Sequence, residues 1–155
     1  MTEYILAGAE ENYNAAAKLF AEYATWLAID LSFQHFEEEL ASLKKMYAPP
    51  SGGIILCREN DEYIACVAVR SIDSDTAELK RMFVRPAYQQ KGIGSVLMKK
   101  SIDLARQYGY KKMRLDTLNY MTAAMNLYKN SGFIEIGPYY HNPNPTAVYF
   151  ELALC

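Results

Sequence analysis

Glu78-Leu79-Lys80-Arg81-Met82-Phe83-Val84-Arg85-Pro86, continued by Ala87-Tyr88-Gln89-Gln90-Lys91-Gly92-Ile93-Gly94-Ser95, runs from a strand pattern through a proline stop into a glycine-bearing turn and a helix start. Thr76 to Val84 reads as a strand closed by Pro86, which has no N–H for a sheet ladder. Ala77 and Leu79 alternate as inward residues. Met82 and Val84 join that face only if one extra residue is inserted near Lys80 or Arg81, so a β-bulge is expected there. Gln89 to Ser95 then lies between strand and helix, where glycines admit a close anion, consecutive N–H groups converge on it and the helix dipole favours its charge. The loop matches neither the GxxxxGK[ST] nucleotide loop nor the GxGxxG dinucleotide turn. Taken alone, its two glycines also suit a plain helix cap.

Working outward, Gly52 and Gly53 open a strand at Ile54 to Arg58. A turn at Glu59 to Glu62 leads to Tyr63 to Ser71, and a further turn at Asp73 to Asp75 completes a three-stranded antiparallel meander. Thr2 to Ala7 is a first strand, and Asn12 to Ile29 places Tyr13, Ala16, Ala17, Phe20, Ala24 and Leu27 at helical spacing. A second helix, capped by Asp30 or Ser32, carries Phe33, Phe36, Leu40, Leu43 and Tyr47 until Pro49 and Pro50 stop it. Downstream, Gly92 to Gln107 is helical, Lys111 to Thr117 a strand and Met121 to Ser131 a helix, with short strands at Phe133 to Ile136 and Ala147 to Leu154. The strand, helix, strand succession implies a right-handed parallel crossover. The expectation is one mixed α/β domain over residues 1–155.

Two patterns give this order a family likeness. The first is Met82-Phe83-Val84-Arg85-Pro86 followed by Gln89, Gly92 and Gly94; the second is Ala124, Leu127, Tyr128, Gly132 and Phe133. In order and separation they resemble the two motifs of the GNAT N-acetyltransferase family, over Glu78 to Phe133. The resemblance implies a central, mostly antiparallel twisted sheet with splayed strands, flanked by about four helices, and an enzyme that moves an acetyl group from acetyl-CoA to a primary amine by direct attack in a ternary complex.

It also implies roles. The backbones of Met82, Phe83 and Val84 would bind the pantetheine arm, with an oxyanion held by the bulge N–H near Met82, and Gln89, Gln90, Lys91, Gly92, Ile93, Gly94 and Ser95 would bind the pyrophosphate. Tyr128 stands where the family places a tyrosine near the thioester sulfur, able to donate to the departing thiolate. Because an amine attacks only when neutral, a base is needed: Glu78 is the first candidate and Asp116, at the end of the neighbouring strand, the reserve. Where relatives carry asparagine this chain has Met121, and Asn119 is the nearest amide to replace it. Tyr140 and His141, in the proline-rich loop Pro138 to Pro145, are candidate acceptor contacts. Cys66, without a histidine and among Ile64, Val67 and Val69, reads as a small buried residue and not as an acyl carrier.

Composition narrows the alternatives. At 155 residues, 51% hydrophobic and 13% aromatic, the chain can build one substantial core. Three cysteines without CxxC, and two histidines away from other ligands, argue against a disulfide framework or a zinc site. No secretion signal or membrane-length apolar run is present, so the expected location is cytoplasmic. Residues 1 to 79 hold 14 acidic and 5 basic side chains, residues 80 to 129 hold 11 basic and 2 acidic. Such a basic block suits a nucleic acid or a phosphorylated cofactor. The lack of a recognition-helix motif and of interleaved aromatics weighs against nucleic acid. A non-catalytic acyl-CoA-binding module is the alternative, weakened by the presence of Tyr128 and Glu78, and homodimerisation is left open.

Overall fold

The computed structural model describes residues 1–28 and 35–154. The expected caps Asp30 and Ser32, together with Ile29, Phe33 and Cys155, lie outside the described residues. Seven strands join one open sheet in the order β1-β2-β3-β4-β5-β7-β6. They are β1 (Thr2–Leu6), β2 (Gly53–Glu59), β3 (Glu62–Ser71), β4 (Thr76–Val84), β5 (Lys112–Leu118), β6 (Ile134–Ile136) and β7 (Ala147–Ala153). All pairings are antiparallel except β4 with β5, which is parallel as the intervening helix requires. The sheet is therefore mixed and mostly antiparallel, as expected.

Among the described residues five α-helices cover its two faces: α1 (Glu10–Leu27), α2 (Phe36–Ala41), α3 (Leu43–Met46), α4 (Ile93–Gln107) and α5 (Thr122–Asn130). Period-two alternation explains the division. On β2, Ile55 and Cys57 point into the core under α4 and α5, whereas Ile54 and Leu56 point into the core under α1, α2 and α3. Helix α1 starts two residues before Asn12, because the Asn12 amide oxygen accepts from the backbone N–H groups of Gly8 and Ala9 at 3.1 and 3.0 Å and closes the first turn from inside. The single second helix expected up to Tyr47 is instead two short ones broken at Ser42. Its hydroxyl donates to the Glu38 carbonyl at 2.6 Å and competes with the helical ladder.

The bulge sits where the alternation demanded it. Cys66 pairs with Phe83 and Ala68 with Lys80, so Val67 faces both Arg81 and Met82. Arg81 takes the left-handed conformation, φ 56°, which costs a non-glycine residue about 1 kcal/mol or more. Ala77 and Leu79 before the bulge, and Met82 and Val84 after it, share the core under α4 and α5. What holds Arg81 there is a buried ion pair. Its guanidinium donates to both oxygens of Glu39 on α2, at 2.7 and 3.0 Å, with Tyr47 donating to the same carboxylate at 2.9 Å and the Phe36 ring 5.2 Å beneath the guanidinium. Arg81 is 6% exposed and Glu39 1%. The Cys66 thiol donates to the Arg81 carbonyl at 3.3 Å, which makes it a buried structural partner of the bulge.

The charge asymmetry of the chain is partly answered within it. Arg81 of the basic block meets Glu39 of the acidic half, Arg85 meets Glu22 and Glu62 at 2.7 and 2.8 Å, and Lys111 lies 3.9 Å from Asp75. Among the described residues no helix is long and apolar enough to cross a membrane.

Burial alone would raise the Glu39 carboxyl, but the Arg81 hydrogen bonds and charge outweigh it and hold the group below its usual value of 4.5. Its contribution to stability is therefore complete above that ordinary value and is lost as pH falls through the lower, folded value. Removing one member of a buried pair strands the other, so Glu39→Gln should cost about 3–5 kcal/mol in urea unfolding at neutral pH. A loss under about 1 kcal/mol would contradict the role given to this pair.

Candidate active site

Strands β4 and β5 run in register only from Thr76 opposite Lys112 to Glu78 opposite Arg114. Beyond that point, from Leu79 on β4 and Leu115 on β5, the two facing edges have no ladder partner, and a wedge opens through the sheet. The bulge lies on the wedge's β4 side. Two cavities meet in it, sharing Tyr23, Leu27, Met82, Thr117, Met121 and Tyr128 in their linings.

The larger, about 580 Å³, is a groove between the β4 end and the N-termini of α4 and α5. Met82, Phe83 and Val84 line it, as do Gln89, Gln90, Gly92, Ile93, Gly94 and Ser95. Pro86–Tyr88 forms a single 3-10 turn, and the Gln89 amide then donates to the Val84 carbonyl at 3.0 Å, folding the loop back onto the strand end. Gln90 and Gly92 both adopt left-handed backbone, φ 63° and 83°, and Gly92 caps α4. This alternation turns successive N–H groups toward one point at the positive end of a 15-residue helix, a geometry suited to a diphosphate. Lys91 is exposed, outside the lining, with its ammonium 5.5 Å over the Tyr88 ring. Asn119 is exposed and also outside the lining; Tyr120 and Met121 take the wall there.

Tyr128, on α5, is 7% exposed and packed between Phe133, which it meets edge-on, and the tilted ring of Phe150. Its hydroxyl makes no hydrogen bond among the described residues. Burial pushes the phenol well above its ordinary value of 10.0, so it stays protonated throughout the neutral range. It stands at the junction of the two cavities.

The smaller cavity, about 60 Å³, opens on the opposite side of the wedge and is lined by Lys80, Arg81, Asp116, Asn142 and Asn144 besides the shared residues. Asp116 Oδ2 accepts from the Tyr140 hydroxyl at 2.6 Å and from Asn142 at 3.2 Å. Glu78 is 6% exposed and lines neither cavity. Its carboxylate accepts from the Tyr139 hydroxyl at 2.7 Å and lies 3.4 Å from Arg70. The structure thus brings Asp116, Tyr128 and the β4 bulge together and sets Glu78 one side chain back. Tyr140 supports the cavity through Asp116, and His141 is exposed outside both linings.

Several lining residues carry no motif. Tyr23 and Trp26 stack with each other and with Phe83, their ring centroids 5.8 to 6.4 Å apart, and close the groove from the α1 side. An aromatic pair three residues apart near a helix end was the available signal. Lys80 shares a strand face with Glu78, two residues away, which strand alternation alone could have indicated.

Comparison with known proteins agrees with this geometry. The acetyltransferase (GNAT) family model matches residues 13–133. An uncharacterized N-acetyltransferase of Schizosaccharomyces pombe is 38% identical over 138 residues, 88% of this chain and 85% of that one. A GNAT-family acetyltransferase of Staphylococcus aureus superposes with TM-score 0.83 at 20% identity over the whole of both chains. One from Elizabethkingia anophelis, solved with acetyl-CoA bound, superposes at 0.69 with 24% identity, covering 98% of this chain and 97% of that one. The chain belongs to the GNAT family of acetyltransferases. It is an acetyl-transferring enzyme.

Proposed function

We propose that the protein transfers an acetyl group from acetyl-CoA to the primary amine of a small molecule or peptide, by direct attack within a ternary complex. The observation that carries this reading is the wedge itself, a single opening with an anion-binding loop and groove on one side, a polar pocket on the other and Tyr128 between them. The acetyl-CoA bound to the Elizabethkingia anophelis relative supports the choice of donor.

In this reading the diphosphate rests on the amides of Gln90 to Ser95, and the pantetheine lies along the unpaired edge of β4 at Met82 and Val84. The thioester is thereby presented at the bulge. The amine nitrogen attacks the carbonyl carbon, and the bulge N–H near Met82 receives the developing oxyanion. The C–S bond then breaks and the electron pair leaves on sulfur. A thiol ionises near 8.5 and Tyr128 is pushed well above 10.0, so the phenol is the weaker acid and stabilises the thiolate by a hydrogen bond more readily than by full proton transfer.

The acceptor enters as an ammonium. An amine of pKa about 10 is neutral in only about one part in a thousand at pH 7, so a carboxylate in the pocket has a large fraction to recover. Asp116 faces that pocket and Glu78 does not, which favours Asp116 as the group the ammonium meets. Glu78 is then a positioning residue, holding Tyr139 beneath the loop that carries Tyr140 and Asn142.

Gly94 offers a test of the donor site, because a Cβ there meets only the Leu127 side chain, at 3.6 Å, and the fold tolerates it. Gly94→Val should fold normally yet lose at least about tenfold in acetyl-CoA affinity by calorimetry, since its branches fill the loop; undiminished affinity would reject the site. Tyr128→Phe removes a hydroxyl with no described protein partner. It should keep its stability while kcat falls by roughly tenfold to a thousandfold, and an unaltered kcat where chemistry limits turnover would reject its role. Asp116→Asn should depress kcat/KM most near neutral pH, the deficit shrinking towards pH 9, whereas Glu78→Gln should lose a similar factor at every pH. The opposite pattern would return proton removal to Glu78.

A further inference from the structure

The two strands that part at the wedge each send one charged side chain into the small pocket that finds no ion-pair partner. Three charged residues line that pocket. Arg81 is neutralised by Glu39 at 2.7 Å, which leaves Lys80 from β4 and Asp116 from β5, neither joined to another described side chain by an ion pair. The charges just behind them are already matched, Glu78 by Arg70 and Arg114 by Glu151, at 3.4 and 2.8 Å. Asp116 Oδ2 is occupied by Tyr140 and Asn142, and Oδ1 has no described partner. Beside them, Asn144 Oδ1 accepts from the N–H and hydroxyl of Thr146 at 2.9 and 2.6 Å, which leaves its Nδ2 as a donor.

We infer that the acceptor is a small zwitterion, an amine with a carboxylate close to its nitrogen as in an amino acid, held with its ammonium on Asp116 and its carboxylate on Lys80 and Asn144. The inference rests on the amine acetylation proposed above and specifies its substrate class. A plain alkylamine or a polyamine would bring its positive charge beside Lys80 and supply that half-buried ammonium with no carboxylate of its own. An amino acid supplies both counter-charges at once. A pocket of only about 60 Å³ suits a compact head with the two groups adjacent. Burial, and then the Arg81 charge, hold the Lys80 ammonium below its usual value, in keeping with a cation whose partner arrives with the substrate.

The test compares the L-amino acids with their α-carboxamides, which keep the amine and remove the carboxylate charge. Thiol release from acetyl-CoA is the first readout, and calorimetric titration of the same compounds into the CoA-saturated enzyme is the second. The wild type should prefer the free acid at its best substrate by at least about tenfold in kcat/KM. Lys80→Gln should bring that ratio close to one with acetyl-CoA affinity and melting temperature unchanged, and Lys80→Arg should retain most of it. Carboxamides used as well as acids, or a preference that survives Lys80→Gln, would overturn the inference while leaving amine acetylation intact. If no amine is acetylated, the broader reading fails and the titration decides this one separately. An amino acid bound by the wild type but not by Lys80→Gln upholds the site, and the absence of carboxylate-dependent binding refutes it.

Discussion

A left-handed arginine in the middle of a strand is the constraint on which the rest of the structure turns. Arg81 can adopt that backbone because its guanidinium is gripped by Glu39 and stacked on Phe36, while the Cys66 thiol satisfies its carbonyl. The bulge it makes shifts the side-chain alternation of β4 by one position. Leu79 below it and Met82 and Val84 above it therefore serve the same core. It also lies where β4 leaves β5, so the strain is stored at the mouth of the wedge, and backbone of this kind is found most often at functional sites. Helices α2 and α3 never line the groove, yet through Glu39 and Tyr47 they help to set the geometry of its edge.

The same economy governs charge. A chain whose first half is acidic and whose next fifty residues are basic resembles, on composition alone, a binder of polyanions. In the folded molecule two arginines of the basic stretch, Arg81 and Arg85, pair with carboxylates of the acidic half, clamping α1 and α2 onto the sheet. What the groove presents at the start of α4 is mainly backbone: amides turned inward by two left-handed residues, Gln90 and Gly92. Such amides are already oriented and would lose little freedom on binding an anion, with no lysine in the groove's lining.

Much of this could be read in the sequence. The seven strands follow from period-two alternation and turn residues, and the bulge from the impossibility of placing Leu79 and Met82 on one face otherwise. The spacing from Met82 through Gly94 to Tyr128 and Phe133 marked the family. What could not be read are relations between elements distant in the chain. Alternation puts Glu78 and Lys80 on one face of β4 but does not say that Tyr139 swings in to cover Glu78 while Lys80 stays open to the pocket. Glu78, the first candidate base in the sequence, and Asp116, the reserve, are therefore set apart in the fold: only Asp116 lines the pocket. Tyr23 and Trp26 fall outside the apolar face read for α1, and their place in the groove depends on how α1 crosses the sheet. The break at Ser42 escaped notice because the apolar spacing of Phe36, Leu40, Leu43 and Tyr47 continues across it.

A crystal structure of the protein with acetyl-CoA tests most directly whether the wedge is a cofactor site built from the free edge of β4. The account predicts pantetheine amides within hydrogen-bonding distance, about 2.7–3.2 Å, of the β4 backbone at Met82 and Val84. It also predicts the diphosphate on the amides of Gln90 to Ser95 and the sulfur beside the Tyr128 hydroxyl. Acetyl-CoA bound elsewhere, or a β4 edge that closes onto β5 and excludes it, would contradict the account.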